Sequence, residues 1–291
     1  MQIIEKDGGV LLVHPSDYKV DQIFDCGQAF RFKKVEEGKY QGIAFGKYLE
    51  VTHVDDGVFL WPSTLDDYTE IWEDYFDLKT DYTHIKNEIS NKYEVLKRAT
   101  EYGAGIRILR QDPWEIIISF IISANNNIPR IQGAIEKLSI KYGQAFTDPY
   151  GQKKYTFPSP ENLARASVED IRACGVGYRD KYILKSAQMI LTGEVCIEKV
   201  AEMDVLSAEK ELMKLHGVGK KVADCILLFG FNHMGAFPVD TWVKKVIAKY
   251  FLTDKSSVKE ILQFAESEFG DLAGYVQQYL FFYMRQGVDK L

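Results

Sequence analysis

The strongest constraint on the fold is a change in hydrophobic periodicity near residue 65. Upstream, short runs rich in Val, Phe, Tyr and Ile are separated by Gly and Asp, which is typical of antiparallel strands. Downstream, apolar residues recur at helical spacing. We therefore predict an α+β fold, with a small N-terminal antiparallel β-sheet domain within residues 1–100 and a large all-α body over 101–291. The predicted strands lie in VLLVHP (10–15), AFRFKKV (29–35), KYQGIAFGKYLEVTHV (39–54) and GVFLWP (57–62).

Several helix starts are marked by capping residues. Asp112-Pro113 and Ser159-Pro160 each place a good N-cap before proline, which suits the first helical position. The segment from Ser167 to Asp170 matches a capping box.

The composition is that of a folded globular protein, with 46% hydrophobic and 13% aromatic residues. Apolar runs are too short to span a bilayer, and charges interrupt the N-terminal run, which argues against a secretion signal. The four cysteines are scattered without a C-x-x-C pair, which argues against a zinc site, an iron–sulfur cluster and a disulfide framework. We expect a monomer without membrane association, cytoplasmic and nucleoid-associated if the source is bacterial.

The net charge of −6 weakens a nucleic-acid-binding hypothesis without excluding it. Nine acidic residues and one lysine fall between Asp55 and Asp81. The rest of the chain carries 35 basic and 33 acidic residues, so local patches decide whether phosphate can bind.

A helical hairpin is predicted at about residues 207–230, where Gly217-Val-Gly219 separates two amphipathic segments. The backbone amides of such a turn lie at the N-terminus of the second helix and can hold a phosphate. An ordinary αα-hairpin without a ligand would have the same pattern.

Two motifs together, LHGVGKKVADC (215–225) and FPVD (237–240), resemble the helix-hairpin-helix and Gly-Pro-Asp superfamily of base-excision DNA glycosylases. The resemblance implies that Lys221 is the nucleophile of a bifunctional glycosylase and that Asp240 is its carboxylate partner. It also implies phosphate contacts by Gly217 and Gly219, whereas Lys220 is a phosphate contact or a solvated charge. The carbonyls that could hold a structural monovalent cation are those of Met213, Leu215 and Val218.

These residue types suit the chemistry of base removal. An uncharged amine can attack the sugar C1′, and the resulting imine permits elimination of the 3′ phosphate. We expect burial and the helix N-terminus to lower the pKa of Lys221. Asp240 is expected to stay ionised and to stabilise the sugar cation, in addition to capping the next helix. No catalytic metal or organic cofactor is expected.

Two further segments resemble the lesion-reading parts of 8-oxoguanine DNA glycosylases: CGQAFRF (26–32) and AGYVQQYLFFYMRQ (273–286). In that family the carbonyl of the residue matching Gly27 accepts a hydrogen bond from N7-H of 8-oxoguanine, whereas guanine has a bare acceptor there. Gln277 would bond the Watson–Crick edge of the base, Phe281 would stack on one face and Cys225 would cover the other. Core packing is the usual role of Phe and Cys.

Two other segments, SANNNIPR (123–130) and GVGYRDKY (175–182), resemble the parts of that family that fill the duplex gap and read the opposite base. The resemblance implies that Asn125 enters the gap, that Arg130 and Arg179 reach an opposite cytosine and that Tyr178 is a wedge. A polar helix terminus and a surface pair are the simpler interpretations.

The chain departs from the family pattern at Trp242, where vertebrate relatives commonly carry histidine, and at Pro129 within the asparagine loop. The hypothesis is a bifunctional 8-oxoguanine DNA glycosylase and abasic-site lyase acting on duplex DNA, with the lesion opposite cytosine. A glycosylase of the same superfamily for another damaged base and a non-catalytic DNA-binding module are the alternatives.

Overall fold

The computed structural model describes residues 1–286 and confirms the predicted α+β fold. The strands are β1 Gln2–Lys6, β2 Gly9–Val13, β3 Lys33–Glu36, β4 Lys39–Ala44, β5 Lys47–Val54, β6 Gly57–Trp61, β7 Ala145–Thr147 and β8 Lys153–Tyr155. The first six form one antiparallel sheet in the order β1-β2-β6-β5-β4-β3, and a separate hairpin joins β7 to β8. The edge strand β1 was not predicted, because its residues are mostly exposed and lack an apolar alternation.

The predicted strand at 29–35 is wrong in its first half, since β3 begins only at Lys33. The preceding loop is held by the buried side chain of Gln28, whose amide donates to the carbonyls of Ile23 at 2.9 Å and Arg107 at 2.8 Å. These side-chain hydrogen bonds hold the loop in place. In a sheet, hydrogen bonds to a neighbouring strand would do so instead.

The remaining regular secondary structure of the described chain is helical. Short π turns span Tyr68–Trp72 and Arg172–Val176. The α-helices are α1 Val20–Asp25, α2 Leu65–Asp67, α3 Glu73–Tyr75, α4 Tyr82–Ser90, α5 Glu94–Tyr102, α6 Pro113–Ser123, α7 Ile128–Tyr142, α8 Pro160–Ala164, α9 Val168–Ile171, α10 Asp180–Leu191, α11 Ile197–Glu202, α12 Val205–Leu212, α13 Lys220–Gly230, α14 Thr241–Tyr250, α15 Val258–Phe269 and α16 Ala273–Arg285.

The predicted N-caps are present. The carboxylate of Asp112 accepts a hydrogen bond from the Glu115 amide at 2.8 Å, and Ser159 accepts from Asn162 at 3.3 Å. Ser167 accepts from the Asp170 amide at 3.1 Å, which is half of the expected capping box.

Two hydrophobic cores organise the molecule. The sheet packs on α1, where Phe24 stacks on Phe32 with ring centroids 4.3 Å apart. The helical body has a larger core that includes α6, α13 and α16. Side chains of α4 and α5, such as Tyr82 and Leu96, belong to that second core. The domain boundary near residue 100 remains a prediction. Within residues 1–286, no helix has the length and apolar character needed to cross a membrane.

Candidate active site

The helical hairpin has the turn geometry required to expose backbone amides. Gly217 has φ +82°, and a Cβ there would lie 2.5 Å from Tyr182 Cδ2, so both conformation and packing require glycine. Gly219 is the N-cap of α13, and no side chain caps it. The first amides of α13 are therefore available to an anion.

The two adjacent lysines at the start of α13 point in different directions. The ammonium of Lys220 pairs with Glu209 and lies 3.7 Å from Asp224 Oδ1. The phosphate contact considered for Lys220 stays a prediction, and in this structure the charge of Lys220 is paired with the protein's own carboxylates. Lys221 instead extends over the ring of Phe120, with Nζ 5.8 Å from the centroid.

The electrostatics of Lys221 differ from the sequence-based expectation. Burial is the largest influence on the pKa of Lys221 and lowers it, as expected. Cys225, Asp240 and Asp224 together outweigh burial, so that the pKa of Lys221 is raised above the ordinary lysine value. The predicted direction was wrong, since it neglected Cys225 and Asp224 on the same helix and Asp240 at the start of α14. The amine must lose a proton during the reaction.

Cys225 and Asp240 flank this lysine from α13 and α14. Burial raises the pKa of Cys225 to about 11, so the thiol is neutral near pH 7. Asp240 caps α14, with its carboxylate accepting from the Val243 amide at 2.8 Å. Burial also raises the pKa of Asp240, against the opposing effects of the Val243 amide and Lys221. Asp240 is thus a capping residue and an electrostatic neighbour of the proposed nucleophile.

A second group of residues forms what we call the base slot: Gly27, Gln277 and Phe281. Gly27 has φ +84°, and a Cβ there would lie 3.3 Å from Phe281 Cε1. Gln277 is 4% exposed, and its Oε1 has no hydrogen-bond partner among the described residues. Buried polar atoms are rarely left unpaired, so Gln277 Oε1 is suited to a ligand that donates a hydrogen bond.

The asparagines of SANNNIPR have separate roles. Asn126 donates to the carbonyl of Ile122 at 3.1 Å, and Asn127 caps α7 by accepting from the Arg130 amide at 3.1 Å. The expected polar helix terminus therefore accounts for these two. Asn125 is exposed with φ +50°, and Pro129 lies in the first turn of α7.

Arg130 and Arg179 are in contrasting environments. Arg130 is exposed, whereas Arg179 is 6% exposed and packs on Tyr178. The guanidinium of Arg179 donates to the carbonyls of Val176 at 3.0 Å and Asn125 at 3.2 Å, and also to that of Ala124. In this structure Arg179 holds the asparagine loop. Its predicted contact with an opposite base would require these bonds to be exchanged.

A cleft joins the asparagine loop to the hairpin. Its walls include Ala124 and Tyr178 on one side and the turn from Met213 to Gly219 on the other. Tyr178 is 58% exposed and so presents an aromatic face to this cleft. Gly217 and Gly219, which are predicted to contact phosphate, and Tyr178, the predicted wedge, therefore line one surface.

The three predicted cation-holding carbonyls are not equivalent. The carbonyl of Leu215 accepts from the Val218 amide at 3.2 Å, and we find no hydrogen bond to the carbonyls of Met213 and Val218 within residues 1–286. Two unpaired carbonyl oxygens in a turn fit the hard donors that a monovalent cation prefers. No cluster of three or more His, Cys, Asp or Glu suited to a metal ion occurs among those residues.

Trp242, the departure from the family pattern, lies at the start of α14 beside Asp240. It is 36% exposed, and Lys245 Nζ stands 5.3 Å from the centroid of a ring of this residue. The ring of Trp242 therefore packs against a cation, the ammonium of Lys245, on the same helix.

Three residues of the site were not anticipated from the sequence. Asp224 follows Lys221 by about one helical turn, a spacing that could have identified it. Gln278 and Arg285 of α16 contact the Gly27 loop across the whole length of the chain, and no local pattern signals such contacts.

Comparison with known proteins assigns both halves of the chain. The model for the 8-oxoguanine DNA glycosylase N-terminal domain matches residues 10–117, and that for HhH-GPD superfamily base excision DNA repair proteins matches residues 118–270. The chain belongs to the 8-oxoguanine glycosylase branch of the HhH-GPD superfamily.

Individual relatives and a solved structure are consistent with this assignment. A probable N-glycosylase/DNA lyase of Methanothermobacter thermautotrophicus is 38% identical over 74% of this chain and 75% of its own length. The N-glycosylase/DNA lyase OGG1 of Arabidopsis thaliana is 32% identical over 89% of this chain and 75% of its own. The crystal structure of a Clostridium acetobutylicum 8-oxoguanine glycosylase/lyase, in complex with double-stranded DNA containing cytosine opposite 8-oxoguanine, has a TM-score of 0.95 and 40% identity over 99% of both chains.

Proposed function

We propose that the protein is a bifunctional DNA glycosylase that excises 8-oxoguanine from duplex DNA, opposite cytosine, and then cleaves the abasic site by β-elimination. The observation that carries the proposal is the electrostatic pairing of Lys221 with Asp240, whose carboxylate also interacts with Arg285 beside Phe281 of the base slot. Family membership supports the same reaction.

Base selection depends on hydrogen-bond polarity. 8-Oxoguanine presents N7-H, which a backbone carbonyl attracts, whereas guanine presents a lone pair that the carbonyl repels. Within the described chain the Gly27 carbonyl is engaged by no hydrogen bond and is therefore available for this contact. Gln277 Oε1 would accept from the opposite edge of the base, and Phe281 would stack on its face.

The chemical step begins from an ammonium, because the pKa of Lys221 is raised. The amine bonds to C1′ after losing one proton, and the bond from C1′ to the base breaks with its electrons passing to the base. The departing base takes up one proton, so the proton lost by Lys221 balances the one that the base requires. The carboxylate of Asp240 stabilises the positive charge that develops on the sugar.

The Lys221 nitrogen then forms a double bond to C1′, while the bond from C1′ to the sugar ring oxygen breaks and one proton passes from the nitrogen to that oxygen. The second step uses this covalent imine. A proton leaves C2′, its electrons form a double bond, and the 3′ phosphate departs with the bonding pair. The hairpin amides at Gly217 and Gly219 would hold a neighbouring phosphate in register. A monovalent cation at the carbonyls of Met213, Leu215 and Val218 would supply positive charge toward that phosphate.

Borohydride trapping tests this function. Reduction of the imine should link the protein covalently to a duplex that contains 8-oxoguanine opposite cytosine. Lys221→Gln should abolish the adduct. Lys220→Gln is the matched control and should retain it, since this neighbouring lysine pairs with Glu209. An adduct that survives Lys221→Gln would overturn the assignment. Release of an oxidised pyrimidine or alkylated base, but not of 8-oxoguanine, would overturn the assignment of 8-oxoguanine as the substrate.

A further inference from the structure

The loop at 25–27 has three consecutive carbonyl groups, and α16 holds two of them. The carbonyl of Cys26 accepts a hydrogen bond from Gln278 Nε2 at 3.1 Å in the protein interior. The carbonyl of Asp25 accepts from Arg285 Nη1 at 3.4 Å near the surface. The third carbonyl, that of Gly27, has no partner within residues 1–286.

Helix α16, which holds this loop, also carries Gln277 and Phe281, the two other residues of the base slot. Gln278 directly follows Gln277, and Arg285 lies one helical turn beyond Phe281. The guanidinium carbon of Arg285 is 5.8 Å from the centroid of the Phe281 ring. Arg285 Nη1 also lies 3.1 Å from the position that a Cβ of Gly27 would occupy. Arg285 therefore lies beside both Gly27 and Phe281 of the base slot.

The Gly27 carbonyl needs the rest of the loop to hold it in place, because glycine at φ +84° has little steric restraint on its backbone. A carbonyl that reads one hydrogen atom on a base must stand at a fixed distance and angle, since hydrogen bonds weaken steeply out of line. Because the peptide groups before Gly27 are planar, holding the Asp25 and Cys26 carbonyls also restricts the position of the Gly27 carbonyl. Gln278, at 1% exposure, cannot exchange its carbonyl for water without opening the core.

We infer that Gln278 and Arg285 are specificity-determining positioning residues, which hold the Asp25 and Cys26 carbonyls and so set the Gly27 carbonyl at the distance that distinguishes 8-oxoguanine from guanine. This inference rests on the proposed function. Neither side chain needs to touch the base, because both act through the loop backbone.

The test measures discrimination separately from DNA binding. In a Lys221→Gln parent, dissociation constants are compared for duplexes that contain 8-oxoguanine or guanine opposite cytosine. Adding Gln278→Met removes the donor at nearly constant length and should lower the preference for 8-oxoguanine about tenfold, the effect of one misplaced hydrogen bond. Affinity for the guanine duplex should change less than about twofold, because that duplex does not use the contact.

Arg285→Met provides a second variant that remains informative if the buried Gln278→Met protein fails to fold. It should lower the preference in the same direction, and Arg285→Lys should restore part of it. Gln286→Met is the matched control, since this glutamine is exposed just past the end of α16. It should leave the preference at the parent value.

The possible results distinguish failure of the positioning role from failure of the proposed function. An unchanged preference in a folded Gln278→Met or Arg285→Met protein, or an equal loss of affinity for both duplexes, would overturn the positioning role alone. A parent protein with no preference for 8-oxoguanine would overturn the proposed function and the positioning role with it.

Discussion

Gly27 faces Phe281 across the base slot: a methyl group added to Gly27 would stand 3.3 Å from Phe281 Cε1. The first predicted consequence is that Gly27→Ala impairs excision of 8-oxoguanine about tenfold or more, because the added methyl displaces the reading carbonyl. The left-handed backbone should also cost about 1 kcal/mol of folding free energy. Single-turnover excision and thermal unfolding measure the two effects.

A matched control separates backbone strain from displacement. Gly193 has φ +74° and open space at its Cβ position. Gly193→Ala should therefore lose similar stability and keep full excision activity. Equal activity of the Gly27 and Gly193 variants would contradict the role given to Gly27.

Gln277 should show opposite effects on stability and on recognition. Its buried Oε1 has no partner within the described chain, so Gln277→Met should leave the unfolding free energy unchanged or raise it by about 1 kcal/mol. The same change should weaken binding of an 8-oxoguanine duplex about tenfold. Chemical denaturation and equilibrium binding test this pairing. Parallel losses of stability and affinity would indicate a structural role only.

The two roles of Asp240 can be separated by substitution. Asn is as good an N-cap as Asp, so Asp240→Asn should keep the bond to the Val243 amide and nearly all stability. Without the carboxylate charge, single-turnover excision should fall about a hundredfold. Asp240→Ala should show the same kinetic loss together with about 1 kcal/mol of destabilisation. Full activity of the Asn variant would show that only capping matters.

The pH dependence of the reaction should report on Asp224. This carboxylate raises the pKa of Lys221, and burial raises its own pKa to about 7. Above that pH Asp224 is charged, so Asp224→Asn should lower the pKa of Lys221 and increase the amine fraction. Below that pH Asp224 is already neutral, and the variant should behave as the parent.

The corresponding measurement is the rate of abasic-site cleavage from about pH 6 to about pH 9. The rising alkaline limb of the profile should move to lower pH in Asp224→Asn. A shift to higher pH, or a change confined to acidic pH, would contradict the proposed coupling.

The two arginines near the asparagine loop should behave differently when the base opposite the lesion is varied. Arg130 is exposed and is the proposed reader of the opposite cytosine, so Arg130→Ala should reduce the preference for cytosine. Arg179 holds the carbonyls of Ala124 and Asn125, so Arg179→Ala should lower excision opposite all four bases alike. A selective loss opposite cytosine in Arg179→Ala would instead establish direct reading.

Much of the fold followed from local pattern, because caps and periodicity act over a few residues. Asp112 and Ser159 were identified as caps for this reason, and both accept the expected bonds. The hairpin and its glycines were likewise readable, since the geometry of a tight turn is encoded where it occurs.

Electrostatic properties were less predictable. Lys220 and Lys221 are identical neighbours in the sequence, yet one pairs with Glu209 and the other lies over Phe120. The direction of the Lys221 pKa was mispredicted because Cys225, Asp240 and Asp224 together outweigh burial, and Asp240 comes from a different helix. Contacts of this kind depend on the folded arrangement.

The contact between α16 and the Gly27 loop also bears on how the protein is made. Lys221 leaves the ribosome well before Gln278 and Arg285, which hold the Cys26 and Asp25 carbonyls. During synthesis the proposed nucleophile therefore exists for a time without the helix to which we assign target selection. On this proposal, a nascent or truncated chain that stops before α16 would contain Lys221 and the phosphate-binding turn but would not distinguish a damaged base from a normal one.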